Sequence, residues 1–376
     1  MTQSAAGPSQ GARPPLGGNR EAIAGGATAA GPPQGARAPP GGDREAISGG
    51  DNSPPHRRTV VVTGAAGLVG RACVAHLQAI GWRVRGLVRT LDATTVARAE
   101  FLAVGDLAAI GDHALANTLR GASAVVHLAA RVHRPQDDDA DAYRRMNVEV
   151  TQRLARAAVA ARVSHFVFAS SVKVNGESTL PGRPFRESDP PDPHDDYARS
   201  KWAAEQALAA VAEDSGLRVT TLRLPLTYGA GARANFAALA RAVRRGVPLP
   251  FANITNRRSI LGVGNCGAAL AALLASDDAP DRGRMTPYFV ADSETVSTPE
   301  LVRAIARAMQ VAPRLIAIPP SLLRLAGVCC GRADAIERLL GSLEIDTSGF
   351  RSRFGWAPPV PLARGLAAAL GTGAPL

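Results

Sequence analysis

From Arg57 onward, short apolar runs alternate with longer stretches in which apolar positions recur every three or four residues. That alternation predicts a parallel sheet with helices on both faces. Thr59–Thr63, Val84–Val88, Phe101–Val104, Ala124–Leu128, His165–Ala169 and Arg218–Leu224 read as six strands. Ala66–Ile80 and Asp196–Ser215 have helical spacing, and a long Ala-rich helix is predicted from about Asp141 to Ala161. After Pro225 the pattern turns irregular and proline-rich, so a smaller domain is expected to begin near Tyr228. The predicted division is a first α/β domain over 57–227 and a second mainly over 228–376, with part of 257–292 returning to the first.

Residues 1–56 break this pattern. They are rich in Gly, Pro and Ala and repeat with a period of 24 residues. Each repeat offers almost nothing to bury, which predicts a disordered tail. Its four arginines and four acidic residues cancel, so the net charge of +11 belongs to the rest of the chain. Such a charge raises the question of nucleic acid. The doubled arginines at 57–58, 144–145, 244–245 and 257–258 are scattered, and aromatics make up only 4% of the chain. With so few stacking platforms, nucleic acid is not the expected partner. No apolar run is long enough to span a bilayer, so membrane insertion is not expected either. Four cysteines without metal-ligand spacing fit a reducing cytoplasm, and no metal site is predicted. Adjacent Cys329 and Cys330 are expected to be small buried hydrophobes.

Candidate chemistry starts at the first strand. Thr59–Thr63 runs into Gly64-Ala65-Ala66-Gly67-Leu68-Val69-Gly70 and then a helix. Glycines there let the backbone approach a pyrophosphate at a positive helix N-terminus, although a plain glycine-rich turn would look the same. The expected fold is thus a Rossmann-type doubly wound parallel sheet with a smaller C-terminal α/β substrate-binding domain. An acid at the end of the second strand would bind the ribose hydroxyls of NAD. This chain has Leu87-Val88-Arg89-Thr90 there, and Arg89 suits the 2′-phosphate of NADP(H). NADP(H) is therefore preferred and NAD(H) kept as the alternative; a solvated loop arginine is the plain explanation.

Of 43 basic residues only Lys173 and Lys201 are lysine, which suggests that those two places need an amine. Lys201 follows Tyr197 by four residues, one turn along the same helix face. A nearby ammonium is expected to lower the phenol toward neutrality and fit it for proton exchange with a hydroxyl or carbonyl. Ser171, at the end of the fifth strand, is placed to hydrogen-bond the reacting oxygen, unless it is merely a turn former.

Together these motifs resemble the extended short-chain dehydrogenase/reductases, the group of nucleotide-sugar epimerases, dehydratases and reductases. The resemblance covers roughly 58–370 and rests on T-G-A-A-G-L-V-G, His127-Leu128-Ala129-Ala130, the Ser-Ser strand end, Tyr197-x-x-x-Lys201, Arg258-Ser259-Ile260 and Phe354-Gly355-Trp356-x-Pro. It implies that Gly64, Gly67, Gly70, Ala129 and Lys201 bind the cofactor, with Asp106 at the adenine. Ser171, Tyr197 and Lys201 would be catalytic. Arg258 would meet the substrate diphosphate, with Asn235 also on the substrate side; Lys173 is expected to contact the substrate from its rarity and position alone. A homodimer is implied as well.

Departures narrow the reaction. Dehydratases of this group carry an Asp-Glu pair where Val172-Lys173 stand, which argues against water loss. Four-epimerases usually have Tyr-Gly where this chain has Asn175-Gly176, and an acid where it has Arg89. The run Ser-Ser-Val-Lys-Val-Asn-Gly-Glu is most similar to bacterial UDP-4-keto-6-deoxy-N-acetylhexosamine 4-reductases of lipopolysaccharide synthesis. The expectation is NAD(P)H-dependent reduction at C4 of a UDP-linked sugar. A UDP-hexose 4-epimerase with tightly bound NAD is the alternative. A non-catalytic NADP-binding regulator is a third reading, against which the intact Tyr/Lys pair speaks.

Overall fold

The computed structural model describes residues 58–91, 99–132, 139–232, 234–276 and 281–371. The repeat-bearing segment over 1–56 lies outside the described residues.

The chain begins with β1 (Thr59–Thr63), α1 (Leu68–Ala79), β2 (Arg83–Val88), β3 (Glu100–Ala103), α2 (Asp112–Thr118) and β4 (Ala124–His127). A helical stretch follows, from α3 (Ala140–Tyr143) through a π-helical turn (Arg144–Glu149) into α4 (Val150–Ala160). Then come β5 (His165–Ser171), a short 3-10 turn (Val172–Val174), α5 (Asp196–Ser215) and β6 (Arg218–Leu224). The remainder holds β7 (Leu226–Tyr228), α6 (Ala234–Arg244), β8 (Arg258–Gly262), α7 (Val263–Ala275), β9 (Met285–Phe289) and β10 (Thr295–Val296). It closes with α8 (Thr298–Ala308), α9 (Pro320–Cys329), α10 (Ala333–Leu340), α11 (Ser348–Phe354) and α12 (Leu362–Leu370).

Seven strands form a parallel sheet in the order β3-β2-β1-β4-β5-β6-β9. The central strands are β-branched and buried on both faces, as a helix-covered parallel sheet requires. Strand order reverses between β1 and β4, so the crevice for a ligand opens beyond their C-terminal ends. A second sheet of three strands, β10-β8-β7, has its own core with α6, α8 and α12. Tyr228 of β7 donates to Asp292 at 2.7 Å, and Asp292 also accepts from the Gly262 amide at 3.0 Å and from Asn265 at 2.7 Å.

On one face α1 packs against α7 and buries Cys73 beside Cys266. Burial pushes both thiols up, Cys266 to about 12. Cys329 and Cys330 are exposed at the end of α9, contrary to the sequence expectation. The reason is local: α9 turns Leu323 and Gly327 inward and leaves the next turn outside. Among the described residues no helix is long and apolar enough to cross a membrane.

On the other face α5 lies along β5 and β6. Asp195 caps its start by accepting from the Ala198 amide at 2.7 Å, and Gly216 in a left-handed conformation ends it. Its inner side carries an unusual cargo for a core. Glu205, fully buried, takes two hydrogen bonds from buried Arg223 of β6, at 2.6 and 3.1 Å. Arg223 spends its remaining nitrogen on Asn175, at 3.0 Å, in the turn after β5. Three segments are thus joined by one guanidinium. Arg223→Met, which strands the Glu205 charge, is expected to cost about 3–5 kcal/mol in urea unfolding. Replacing both partners by apolar residues of similar volume should restore most of that loss.

Candidate active site

The cofactor side is built where β1 meets α1. Gly64 has φ +65°, and a Cβ on it would lie 2.8 Å from the Ala129 amide nitrogen. A Cβ on Gly70 would lie 2.1 Å from the Gly64 carbonyl, so only glycine lets the helix start this close to the strand end. Gly67 is the N-cap of α1 and donates to the Gly64 carbonyl at 2.9 Å. The first turn of α1 contains no acidic residue. This is a tight cradle of backbone amides at a positive helix end, and its chemistry fits the pyrophosphate of a dinucleotide. Arg89 is exposed just beyond β2, and its carbonyl accepts from the Gly105 amide at 3.2 Å. Asp106, just beyond β3, closes its turn by accepting from the Ala108 amide at 3.0 Å. Gly64, Arg89, Asp106 and Ala129 thus share one edge of the sheet.

Behind that edge runs a polar chain that the sequence did not reveal. Thr63 Oγ1 accepts from the amides of Leu128 and Ala129, each at 3.2 Å, and lies 2.7 Å from Nδ1 of His127. Nε2 of His127 lies 3.0 Å from Thr151 Oγ1, whose own proton goes to the Asn147 carbonyl at 2.6 Å. Thr151 therefore accepts, which assigns the proton to Nε2 and leaves Nδ1 to accept from Thr63. Burial, helped by the Lys201 charge, lowers His127 to about 3, so the ring is neutral. Asn147 sits inside the π-helical turn. Its Oδ1 accepts from the Arg131 amide at 2.8 Å, and its Nδ2 donates to the Arg131 carbonyl at 3.0 Å and to Ser200 Oγ at 2.9 Å. Ser200 donates in turn to the Tyr197 carbonyl at 2.7 Å. An asparagine on the inward face of an otherwise Ala-rich helix was the available signal for this link.

Ser171 is the last residue of β5 and Tyr197 lies in the first turn of α5, where the Ser171 hydroxyl is close enough to favour the ionised phenol. Lys201, one turn further, is buried. Its ammonium donates to the Ala169 carbonyl at 2.8 Å and stands 4.5 Å from the centre of the Phe168 ring. The sequence-predicted trio is therefore gathered in one place. The expected acidification of the phenol is not found. Burial raises Tyr197 to about 12, opposed by the Ser171 hydrogen bond and reinforced by Asp195 and Tyr143. The ammonium that was to counter this is itself lowered by burial, to about 7, with Glu205 acting the other way.

Of the residues expected to meet a substrate, Lys173 lies between two carboxylates, Glu177 at 2.8 Å and Asp195 in closer contact. Arg258, at the start of β8, donates to the carbonyls of Arg338 and Gly341 at 2.6 and 2.9 Å, at the C-terminal end of α10. Burial lowers its guanidinium and Glu177 opposes that shift. Lys173, Glu177 and Arg258 are thus linked electrostatically. Asn235 is exposed in the first turn of α6 and is not part of this chain of charges.

The family described as NAD dependent epimerase/dehydratase family matches residues 60–287. A UDP-glucose 4-epimerase from Vibrio cholerae is 37% identical over 313 residues, 82% of this chain and 93% of that protein. Among solved structures, MoeE5 in complex with UDP-glucuronic acid and NAD is 29% identical, with a TM-score of 0.66, covering 83% of this chain and 97% of its own. The Thermus thermophilus UDP-glucose 4-epimerase in complex with NAD, 24% identical over 83% of this chain and 97% of its own, has a TM-score of 0.67 and shares the fold.

Because Lys201 titrates at about 7 in the folded chain against the ordinary 10.5, the unfolded chain binds one proton more between those pH values. Stability from this group therefore rises with pH across that window and its cost is largest below it. Lys201→Met is expected to gain about 2 kcal/mol more, relative to the parent chain, at pH 6 than at pH 9. Urea unfolding at the two pH values measures this; equal gains would contradict it.

Proposed function

We propose, from the premise that this chain belongs to the NAD dependent epimerase/dehydratase family, that it reduces the 4-keto group of a UDP-linked 6-deoxy sugar with NADPH preferred over NADH. Such a product would serve polysaccharide synthesis. The observation that carries proton and hydride chemistry is the convergence of Ser171 and Tyr197 beside buried Lys201, at the C-terminal end of β5. Arg89 carries the choice of reduction with NADPH, since β2 and the two residues after it offer no acid to the ribose.

When bound, the nicotinamide supplies the hydride. This chain's residues do the rest. Ser171 orients the C4 oxygen by hydrogen bonding, and Tyr197 gives it the phenolic proton as the negative charge develops. A phenol held high is the right starting state for this direction, because it stays protonated until an alkoxide calls for the proton. Lys201 anchors the nicotinamide ribose and neutralises the phenolate left behind. Arg258 binds the diphosphate after exchanging the α10 carbonyls for phosphate oxygens, and Asn235 adds a polar group to the nucleotide side. Val172-Lys173 stand where an acid pair would serve water elimination, which speaks against a dehydratase.

A UDP-hexose 4-epimerase is the second reading. It is supported by the name of the Vibrio cholerae relative and by the NAD held in the MoeE5 structure. It would use the same trio with a cofactor that stays bound.

The decisive assay adds UDP-4-keto-6-deoxy-N-acetylglucosamine to the full chain and follows absorbance at 340 nm. Oxidation is expected, faster with NADPH than with NADH, and Tyr197→Phe should lower kcat by about 10²–10⁴-fold. Arg89→Ala should raise KM for NADPH and leave that for NADH nearly unchanged. Absence of reductant use, with interconversion of UDP-glucose and UDP-galactose, would establish the epimerase instead.

A further inference from the structure

Lys173 occupies an unusual position for one of only two lysines in a chain with 43 basic residues. It is bound at both ends. Its backbone amide donates to Ser171 Oγ at 3.2 Å, and its ammonium pairs with Asp195. Asp195 is the N-cap of α5, two residues ahead of Tyr197. One residue therefore joins Ser171, at the end of β5, to Asp195, the carboxylate that caps the helix bearing Tyr197.

About 20% of the Lys173 side chain and 24% of Asp195 remain exposed, so the pair is partly buried and only partly screened by solvent. Acting on Tyr197 are Ser171 of β5, Asp195 at the N-cap of α5 and Tyr143 of α3, with Lys173 paired to Asp195, Lys201 one turn further along α5 and the Arg131 guanidinium 5.5 Å from the centre of the Tyr143 ring. Asp195 is the one carboxylate among them, and its charge resists formation of the phenolate. The Lys173 ammonium cancels that charge at contact distance. A second carboxylate, Glu177, lies 2.8 Å from the same ammonium. A compact ammonium serves two carboxylates at once, where the flat fork of an arginine is committed to one plane.

We propose that Lys173 is a positioning residue that sets the pH at which Tyr197 releases its proton, by neutralising Asp195. The proposal rests on the reading of Tyr197 as the group that moves the proton, but not on the sugar or on the direction of the reaction. Proton transfer from phenol to substrate oxygen breaks the O–H bond of Tyr197 and leaves a phenolate. Lys173 acts on the cost of that phenolate through Asp195.

The test reads the phenolate itself. The full chain is loaded with NAD⁺, whose positive nicotinamide ring is expected to lower the phenol from its buried value of about 12 into the range pH 6 to 11, and absorbance at 295 nm is followed across that range with the Tyr197→Phe curve subtracted. Lys173→Met is expected to move the Tyr197 midpoint upward by about one pH unit, so that the phenolate-to-phenol ratio at fixed pH falls about tenfold. Lys173→Met/Asp195→Asn, which removes both charges and keeps a capping side chain, should return the midpoint to that of the parent. Near-UV circular dichroism establishes that each variant is folded; should Lys173→Met not fold, Lys173→Gln replaces it in the same comparison. Identical midpoints in parent and variant overturn the proposal. So does a double variant shifted as far as the single one, or the absence of any Tyr197-dependent transition. Since no substrate is present, a failed reductase assay leaves this measurement intact, whereas undiminished turnover by Tyr197→Phe would instead remove the reading on which it rests.

Discussion

A carboxylate with no access to water must be held by something, and Arg223 is what holds Glu205. Removing two charges from water costs several kcal/mol each, and that penalty is offset only when the geometry is close to ideal. The two-pronged contact between these side chains meets the condition, and the third nitrogen of the guanidinium finds Asn175. The interaction therefore leaves little freedom: α5 cannot slide along β6, and the turn after β5 cannot lift, without stranding a charge. Everything the site needs from α5 inherits that register. Lys201 is one turn from Glu205, Tyr197 one turn further, and Asp195 starts the helix.

A second set of polar groups aligns the other side of the crevice. Thr63, His127, Thr151 and Asn147 connect the end of β1, the end of β4 and the helix that crosses toward α5. The imidazole in the middle is neutral and has a single proton placement, so this chain behaves as fixed dipoles rather than as a titrating group. Because Asn147 reaches Ser200, the cradle at the first strand and the helix bearing the phenol are set by one continuous line of hydrogen bonds. Asn147 lies within the π-helical turn, a rare element that is frequent at functional sites.

The elements that were legible from the sequence are those with punctuation. The bounds of α5 and β6 follow from Asp195, Gly216 and the β-branched run after Arg218, and the structure has them at Asp196–Ser215 and Arg218–Leu224. Gly64, Gly67 and Gly70 were readable because a missing side chain has few other uses at a strand-to-helix turn. The π-helical turn was not readable, since an alanine-rich periodicity looks the same with or without one extra residue in a turn. Nor was the electrostatic state of Tyr197: spacing places Lys201 one turn away but says nothing of how deeply both are buried, and burial outweighs the neighbouring charge here. For Arg258 the sequence indicated the side chain but not its partners, the carbonyls that end α10, which are 80 and 83 residues distant. Cys329 and Cys330 show the limit of composition: a small apolar type is usually inside, but a ten-residue helix with one inward face has an outside too.

The four thiols fall into two classes with a practical meaning. Cys73 and Cys266 face each other where α1 meets α7, sealed from solvent and held in the protonated form, whereas Cys329 and Cys330 stand open at the end of α9. An alkylating reagent added to the native chain sees only the latter two. Any slower incorporation at the inner pair then counts the moments at which the helix behind the glycine cradle parts from its neighbour, so the protein carries its own clock for the breathing of that layer.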